Sequence, residues 1–130
     1  VVSVTAVFMA GKARSTNKKM FKRQGVIDLH MAWHGVNDID SENLITPDVV
    51  RAVGALDLTA ALWNHDVIEK EILYQSYWFP FKQLYDVLSQ CGGTPPGTSR
   101  SCRDLITQPM IRAYEDMKNY ELKKVGTSSV

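Results

Sequence analysis

The chain has 130 residues, of which 45% are hydrophobic and 22% are charged. This length fits one domain, and the composition excludes an intrinsically disordered chain. The net charge of +1 conceals an uneven distribution, because residues 1–35 carry six basic groups and one acidic group, whereas residues 36–130 carry nine basic and thirteen acidic groups. We therefore expect a basic arm on an acidic body. The arm has three candidate targets: lipid phosphate, nucleic-acid phosphate, or the acidic body itself.

The first ten residues are apolar and precede a basic stretch that contains Lys12, Arg14, Lys18 and Lys19. A bilayer span needs about 20 apolar residues, so the sequence as written contains no complete transmembrane helix, and it shows no signal peptide. Two interpretations stay open for the lead-in over residues 1–15. It is either a core-packing segment followed by a solvated basic stretch, or the remnant of a membrane anchor with its basic cytoplasmic flank.

Helical periodicity through the rest of the chain predicts an all-α fold, a compact bundle of about five helices over residues 16–124. The first helix is basic and is expected over residues 16–33, with Met20, Ile27 and Met31 on one apolar face. Gly35 is its natural stop. The same helix can extend backwards toward a membrane anchor.

The second helix is expected to begin at Thr46-Pro47, because a threonine hydroxyl caps free amides and proline suits the first helical position. It should end near Asn64, and Pro80 should mark a boundary or a kink between a third helix over residues 67–77 and a fourth. The remaining predicted elements are the end of the fourth helix near Gln90, a Gly- and Pro-rich loop over 92–101, a last helix that begins after Ser101 or near Pro109, and a disordered tail over 125–130.

The basic arm contains one compact patch, made of Lys18, Lys19, Lys22 and Arg23. On a helix, Lys18 aligns with Lys22 and Lys19 aligns with Arg23. Each such charge contributes about 1 kcal/mol to binding an anionic membrane. On nucleic acid the same residues would give salt-sensitive binding without sequence preference. The remaining interpretation is a solvated helix face.

Aromatic residues are concentrated around Tyr77, Trp78 and Phe79. Large rings usually form part of a core, which predicts a hub where the third and fourth helices meet. Three consecutive residues of one helix cannot all point inward, so at least one of these rings should contribute to a surface. Tyr and Trp are also favoured at protein interfaces, which makes a partner surface the alternative.

Two further pairs carry potential chemistry. His30 and His34 are four residues apart on a helix and can reach one metal ion, although two ligands do not complete a zinc site. Cys91 and Cys102 bracket the predicted loop, and their spacing permits a disulfide that would close it. In a reducing compartment both thiols would stay free.

The order of these features resembles that of a group of small uncharacterised bacterial proteins. The segments that carry the resemblance are the apolar residues 1–10, the basic run to Arg23, and residues 26–29, 56–63, 77–79 and 114–115. The sequence departs from the group at Asp57 and Ala60, where Asn and Glu are expected. The resemblance implies an N-terminal membrane helix followed by a cytoplasmic all-helical domain.

No catalytic or cofactor motif is recognisable, so the sequence favours a non-enzymatic interaction or regulatory domain that needs no cofactor. We expect it in the cytoplasm at the inner face of the membrane, self-associating or bound to another protein. The first alternative is a nucleic-acid-binding accessory protein of phage or mobile-element origin. The second is a small metal-binding protein that uses His30 and His34.

Overall fold

A computed structural model describes the backbone of residues 20–128 and the side chains of residues 20–123. Within this range the chain forms four α-helices and one 3-10 helix, with no strand, which confirms the all-α prediction. The elements are α1 over residues 20–33, α2 (Thr46–Asn64), α3 (Lys70–Gln90), the 3-10 helix (Arg103–Leu105) and α4 (Gln108–Ser128). The helix α4 packs chiefly against α2, and α3 packs against both.

The helix α3 is continuous over 21 residues although Pro80 lies inside it. The predicted boundary at Pro80 is therefore wrong, and the described bundle has four α-helices instead of about five. An internal proline removes one helical hydrogen bond and costs about 3 kcal/mol. Burial of Trp78 and Phe81 on either side of the proline offsets this cost, because both rings must stay on the same helical path to reach the core.

The helix α2 has the expected bounds but not the expected cap. Its N-cap residue is Ile45, and Pro47 lies in the first turn. The Thr46 hydroxyl donates a hydrogen bond to the carbonyl oxygen of Pro96, 2.6 Å away. The predicted capping role of Thr46 is therefore wrong, and this side chain instead joins α2 to the loop over residues 92–101.

The last helix begins at Gln108, next to the Pro109 start that the sequence predicted, and the 3-10 helix fills the stretch after Ser101. It runs to Ser128, so the backbone of residues 125–128 is helical where the sequence predicted a disordered tail. The apolar spacing of Met110, Ala113 and Met117 places all three on the buried side of α4.

The helix α1 ends as predicted, with Gly35 in a left-handed conformation at φ +87°. It packs through Leu29, which is fully buried, and through Gly25. A Cβ atom on Gly25 would lie only 3.1 Å from Cδ2 of Leu62, so the missing side chain lets α1 approach the end of α2 closely. The apolar face that carries the helical periodicity in the sequence points away from this contact.

Residues 1–15, together with Lys18 and Lys19, lie outside the described residues. Among the helices that the structure does describe, none combines the length and the apolar content needed to cross a bilayer.

Candidate functional site

Exposed apolar side chains are concentrated on α1. Ten large hydrophobic side chains are exposed in the described part of the chain, and five of them lie within residues 20–33. These five are Met20, Phe21, Val26, Ile27 and Met31. The other five are distributed over the rest of the described chain, so α1 carries a patch and not scattered exposure.

Three of these side chains form a line that we call the outward stripe: Met20, Ile27 and Met31. They are 63%, 47% and 68% exposed, respectively. Helical spacing places all three within a narrow angular range, on the side of α1 opposite Leu29. The outward stripe therefore faces away from the core, and none of its three side chains contributes to the packing of the core.

The basic residues around α1 take different positions. Arg23 is exposed and lies next to the outward stripe in helical projection. Lys22 lies toward the body, where its Nζ is 3.1 Å from Oε1 of Glu69. Lys22 thus engages the acidic body, the third target expected for the basic arm, while Arg23 stays on the solvent side.

The two histidines of α1 are also exposed, and their rings are 6.4 Å apart between centroids. Among the residues that the structure describes, no group of three or more His, Cys, Asp or Glu side chains could hold a metal ion. His30 and His34 accordingly have no third ligand there, and the geometry gives the metal alternative no further support.

The predicted aromatic surface separates into three environments. Trp78 is buried, Tyr77 is half-buried and stacks on Trp33 at 6.0 Å between ring centroids, and Phe79 is 69% exposed. The predicted aromatic hub therefore contains Tyr77 and Trp78, whereas Phe79 lies on the surface. It also contains rings from α4, because Trp78 packs on Tyr114 at 5.6 Å.

Two similar clusters, each made of a tryptophan, a lysine and an acidic residue of α4, hold α4 against the neighbouring helices. No pattern in the sequence indicated them. In the first, the indole Nε1 of Trp63 donates to Oδ2 of Asp116 at 2.6 Å, and Nζ of Lys70 lies 3.5 Å from the same oxygen. Lys70 also lies 5.2 Å from the centre of the Trp63 ring. The two contacts to Asp116 join residues more than forty positions apart, so no local pattern marks them.

The second cluster has the same arrangement, with its acidic residue five positions further along α4. The indole Nε1 of Trp78 donates to Oε2 of Glu121 at 2.8 Å. Nζ of Lys82 lies 3.8 Å from that oxygen and 5.8 Å from the centre of the Trp78 ring. A buried indole N–H needs an acceptor, and a carboxylate makes a stronger one than a neutral group. Both clusters are therefore structural, and they use Asp116 and Glu121, two of the three acidic side chains of α4, to hold the helix in place.

A third polar contact joins α3 to α4. The hydroxyl of Tyr114 donates to Oδ1 of Asp86 at 2.8 Å, and its ring stacks on Tyr85 at 4.0 Å between centroids. Burial, aided by the hydrogen bond to Asp86, raises the pKa of Tyr114 to about 12. Burial and the nearby charges of Glu115 and Asp86 raise the pKa of Tyr85 as well.

The structure brings the two cysteines together. Cys91 and Cys102 are both buried in the main apolar core, and both thiols are free. Burial, with a further contribution from Cys91, raises the pKa of Cys102 to about 11. The loop between them lines one side of a groove of about 520 Å³, and Thr46, Val49 and Val50 of α2 line the other.

A second cavity lies between α1 and α3. It measures about 280 Å³ and is lined by Trp33, Tyr77, Asn37, Asp38 and Gln83 among others. Typical small-molecule pockets measure roughly 300–1,000 Å³, so this cavity is small for a ligand site.

Comparison with protein-family models, with curated proteins and with solved structures gives no match for this chain.

Proposed function

We propose that this protein is a non-enzymatic helical interaction domain that binds an anionic membrane surface through α1. The observation that carries the proposal is the outward stripe of Met20, Ile27 and Met31, exposed beside Arg23. An amphipathic helix with an apolar face and flanking cations lies in the membrane interface, with its apolar side chains among the acyl chains.

The basic charge of the α1 end favours an anionic partner, and the outward stripe favours a lipid surface over nucleic acid. The basic groups of residues 1–35 outnumber the acidic groups six to one, and in the sequence Lys18 and Lys19 directly precede the described part of α1. The rest of the chain is acidic, so an anionic surface would attract the α1 end and repel the body. Nucleic acid would satisfy the cations but would leave the exposed methionine and isoleucine side chains without an apolar partner.

The order of features along the sequence supports the same location. An apolar segment, a basic run and a helical domain follow one another, as in the membrane-tethered bacterial proteins that the sequence resembles. In this proposal the domain lies at the cytoplasmic face of the membrane, and residues 1–15 and α1 share one contact with the bilayer.

The test is flotation of the full chain with lipid vesicles of two compositions. One contains only phosphatidylcholine, and the other contains about one-third phosphatidylglycerol to supply anionic charge. We expect binding to the anionic vesicles that weakens as salt is added, because counterions screen the basic residues. Equal binding to both compositions would contradict the electrostatic part of the proposal.

Two variants, each with a matched control, locate the contact. Ile27→Ser combined with Met31→Ser should weaken binding about 30-fold, because each side chain loses about 1 kcal/mol of apolar burial in the interface. The control, Val50→Ser with Ile72→Ser, alters two exposed apolar side chains on α2 and α3 and should leave binding unchanged.

Arg23→Glu should also weaken binding about 30-fold, since it replaces a favourable charge with an unfavourable one at about 1 kcal/mol each. Its control is Arg112→Glu on α4, where Arg112 is likewise exposed.

Two outcomes would replace the proposal. Absence of vesicle binding, with self-association that the stripe variants abolish, would make a second copy the partner. Binding to duplex DNA that Arg23→Glu abolishes and the stripe variants preserve would make it a nucleic-acid-binding protein.

A further inference from the structure

The two cysteines lie at the ends of one loop, and backbone hydrogen bonds hold those ends together. Cys91 follows α3 directly, and Cys102 directly precedes the 3-10 helix. The amide of Cys102 donates to the carbonyl oxygen of Gly93 at 3.0 Å, and the amide of Arg103 donates to that of Cys91 at 3.1 Å. The two cysteine backbones are therefore adjacent across the base of the loop.

The side chains are buried in the same part of the fold. Both belong to the main apolar core, with Cys91 5% and Cys102 0% exposed. Adjacent backbones with both side chains buried in one core favour a disulfide between them. We propose that Cys91 and Cys102 form a redox site, in which a disulfide fixes the loop over residues 92–101 to the end of α3.

The reaction is a thiol–disulfide exchange with a small disulfide oxidant such as glutathione disulfide. One cysteine thiolate attacks a sulfur of the oxidant, which forms a mixed disulfide and releases one glutathione thiol. The second cysteine loses its proton and attacks the protein sulfur of that mixed disulfide, which releases the second glutathione thiol. In total, two protein thiols lose two electrons and two protons, and the oxidant takes up both.

The disulfide would act on a defined part of the fold. The loop is already joined to α2, because Thr46 donates to the carbonyl oxygen of Pro96 at 2.6 Å and Gly93 lies beside Leu44. It also lines the groove that Val49 and Val50 close from the other side. A covalent bond across the loop base would restrict the loop without changing a helix of the core.

Burial also determines how the pair responds. Because both side chains are buried and burial raises the pKa of Cys102 to about 11, the oxidant reaches the pair poorly and the Cys102 thiol is a weak nucleophile at neutral pH, so exchange in the folded protein is slow. The site should therefore follow the lasting redox state of the compartment and not brief changes in it. An experiment must accordingly be continued until the thiol–disulfide ratio no longer changes.

The test uses the full chain equilibrated in glutathione buffers from reducing to oxidising. Arg100 lies between the two cysteines, so trypsin separates them into residues 83–100 and 101–103. After free thiols are alkylated, we expect these two peptides to stay linked in the oxidised sample without reductant and to separate with it. Linkage between two different chains, or two alkylated thiols in the oxidised native protein, would overturn the proposal.

Urea unfolding supplies the second measurement. Closing a loop of this length should raise the equilibrium constant for folding about 100-fold relative to the reduced protein. Cys102→Ala is the control, and its unfolding midpoint should not depend on the redox buffer. A disulfide that leaves the midpoint unchanged or lowers it, or a redox-dependent midpoint that persists in Cys102→Ala, would also overturn the proposal. Neither result depends on membrane binding.

Discussion

The hydroxyl of Thr59 joins α2 to α1, and its removal should cost measurable stability. Thr59 is fully buried in α2. Its Oγ1 donates to the carbonyl oxygen of Ala55 at 2.7 Å and accepts the indole N–H of Trp33, from the end of α1, at 2.9 Å. Trp33 in turn stacks on Tyr77 of α3. The change Thr59→Val removes the hydroxyl and preserves the shape of the side chain.

The expected loss follows from which groups are left without a partner. In Thr59→Val, the carbonyl of Ala55 lies within α2 and keeps its place in the helical hydrogen-bond pattern, but the Trp33 N–H loses its acceptor in a half-buried position. An unsatisfied donor of this kind costs about 1–3 kcal/mol when buried, and partial access of water reduces the cost. We expect Thr59→Val to lower the free energy of unfolding by about 1–2 kcal/mol.

A double-mutant cycle in urea isolates this hydrogen bond. The four proteins are the natural chain, Thr59→Val, Trp33→Phe and the double variant. In the Trp33→Phe background no donor remains to be left unpaired, so Thr59→Val should cost little, and the coupling free energy should be about 1 kcal/mol. A coupling free energy below about 0.3 kcal/mol, which is within the scatter expected of independent sites, would refute the reasoning.

Three further predictions concern the core, α4 and the outward stripe. Asp116→Ala leaves the buried indole N–H of Trp63 without its acceptor and should lower the urea unfolding free energy by about 2 kcal/mol, whereas Asp116→Asn should recover most of that loss. Below about pH 10, Tyr114 is neutral in both the folded and the unfolded protein. Between about pH 10 and its folded pKa of about 12, Tyr114 loses its proton only in the unfolded protein. Stability should therefore fall over this interval, and urea midpoints measured across it should fall less steeply in Tyr114→Phe. Leu29→Ala should cost about 2–4 kcal/mol in a buried position of α1, whereas Met31→Ala on the exposed face should change stability by less than about 0.5 kcal/mol, as thermal unfolding can check.

Local signals in the sequence predicted helix ends correctly where the deciding interaction is local, and failed where it is distant in the chain. Gly35 and Asn64 mark ends correctly because a left-handed residue or a terminal polar residue acts within one turn. The Pro80 boundary failed because the cost of a proline is local, whereas the burial of Trp78 that offsets it depends on α4. Thr46 failed as a cap for the same reason, since its acceptor lies fifty positions away in the chain.

The candidate site was predicted only in part. The sequence indicated a basic, amphipathic first helix, and the structure adds that its apolar stripe points outward, which periodicity alone cannot determine. Lys22 and Arg23 are adjacent in sequence, yet Lys22 contacts Glu69 and Arg23 faces solvent. The meeting of Cys91 and Cys102 was permitted by their spacing, but the backbone hydrogen bonds that bring them together belong to the folded loop.

The geometry of α2 makes the two proposals independent of each other. Gly25 of α1 packs near Leu62 and Trp33, at the end of α1, contacts Thr59, whereas the groove next to the disulfide site is lined by Thr46, Val49 and Val50 at the start of α2. At 1.5 Å per residue, the nine positions between Val50 and Thr59 correspond to about 14 Å. Sites more than about 10 Å apart that share no partner are usually additive in their free energies. The stripe variants should therefore leave the redox-dependent unfolding midpoint unchanged, and Cys102→Ala should leave vesicle binding unchanged. A redox-dependent change in vesicle binding by the natural chain would contradict this independence, because it would require the loop and α1 to be coupled through α2.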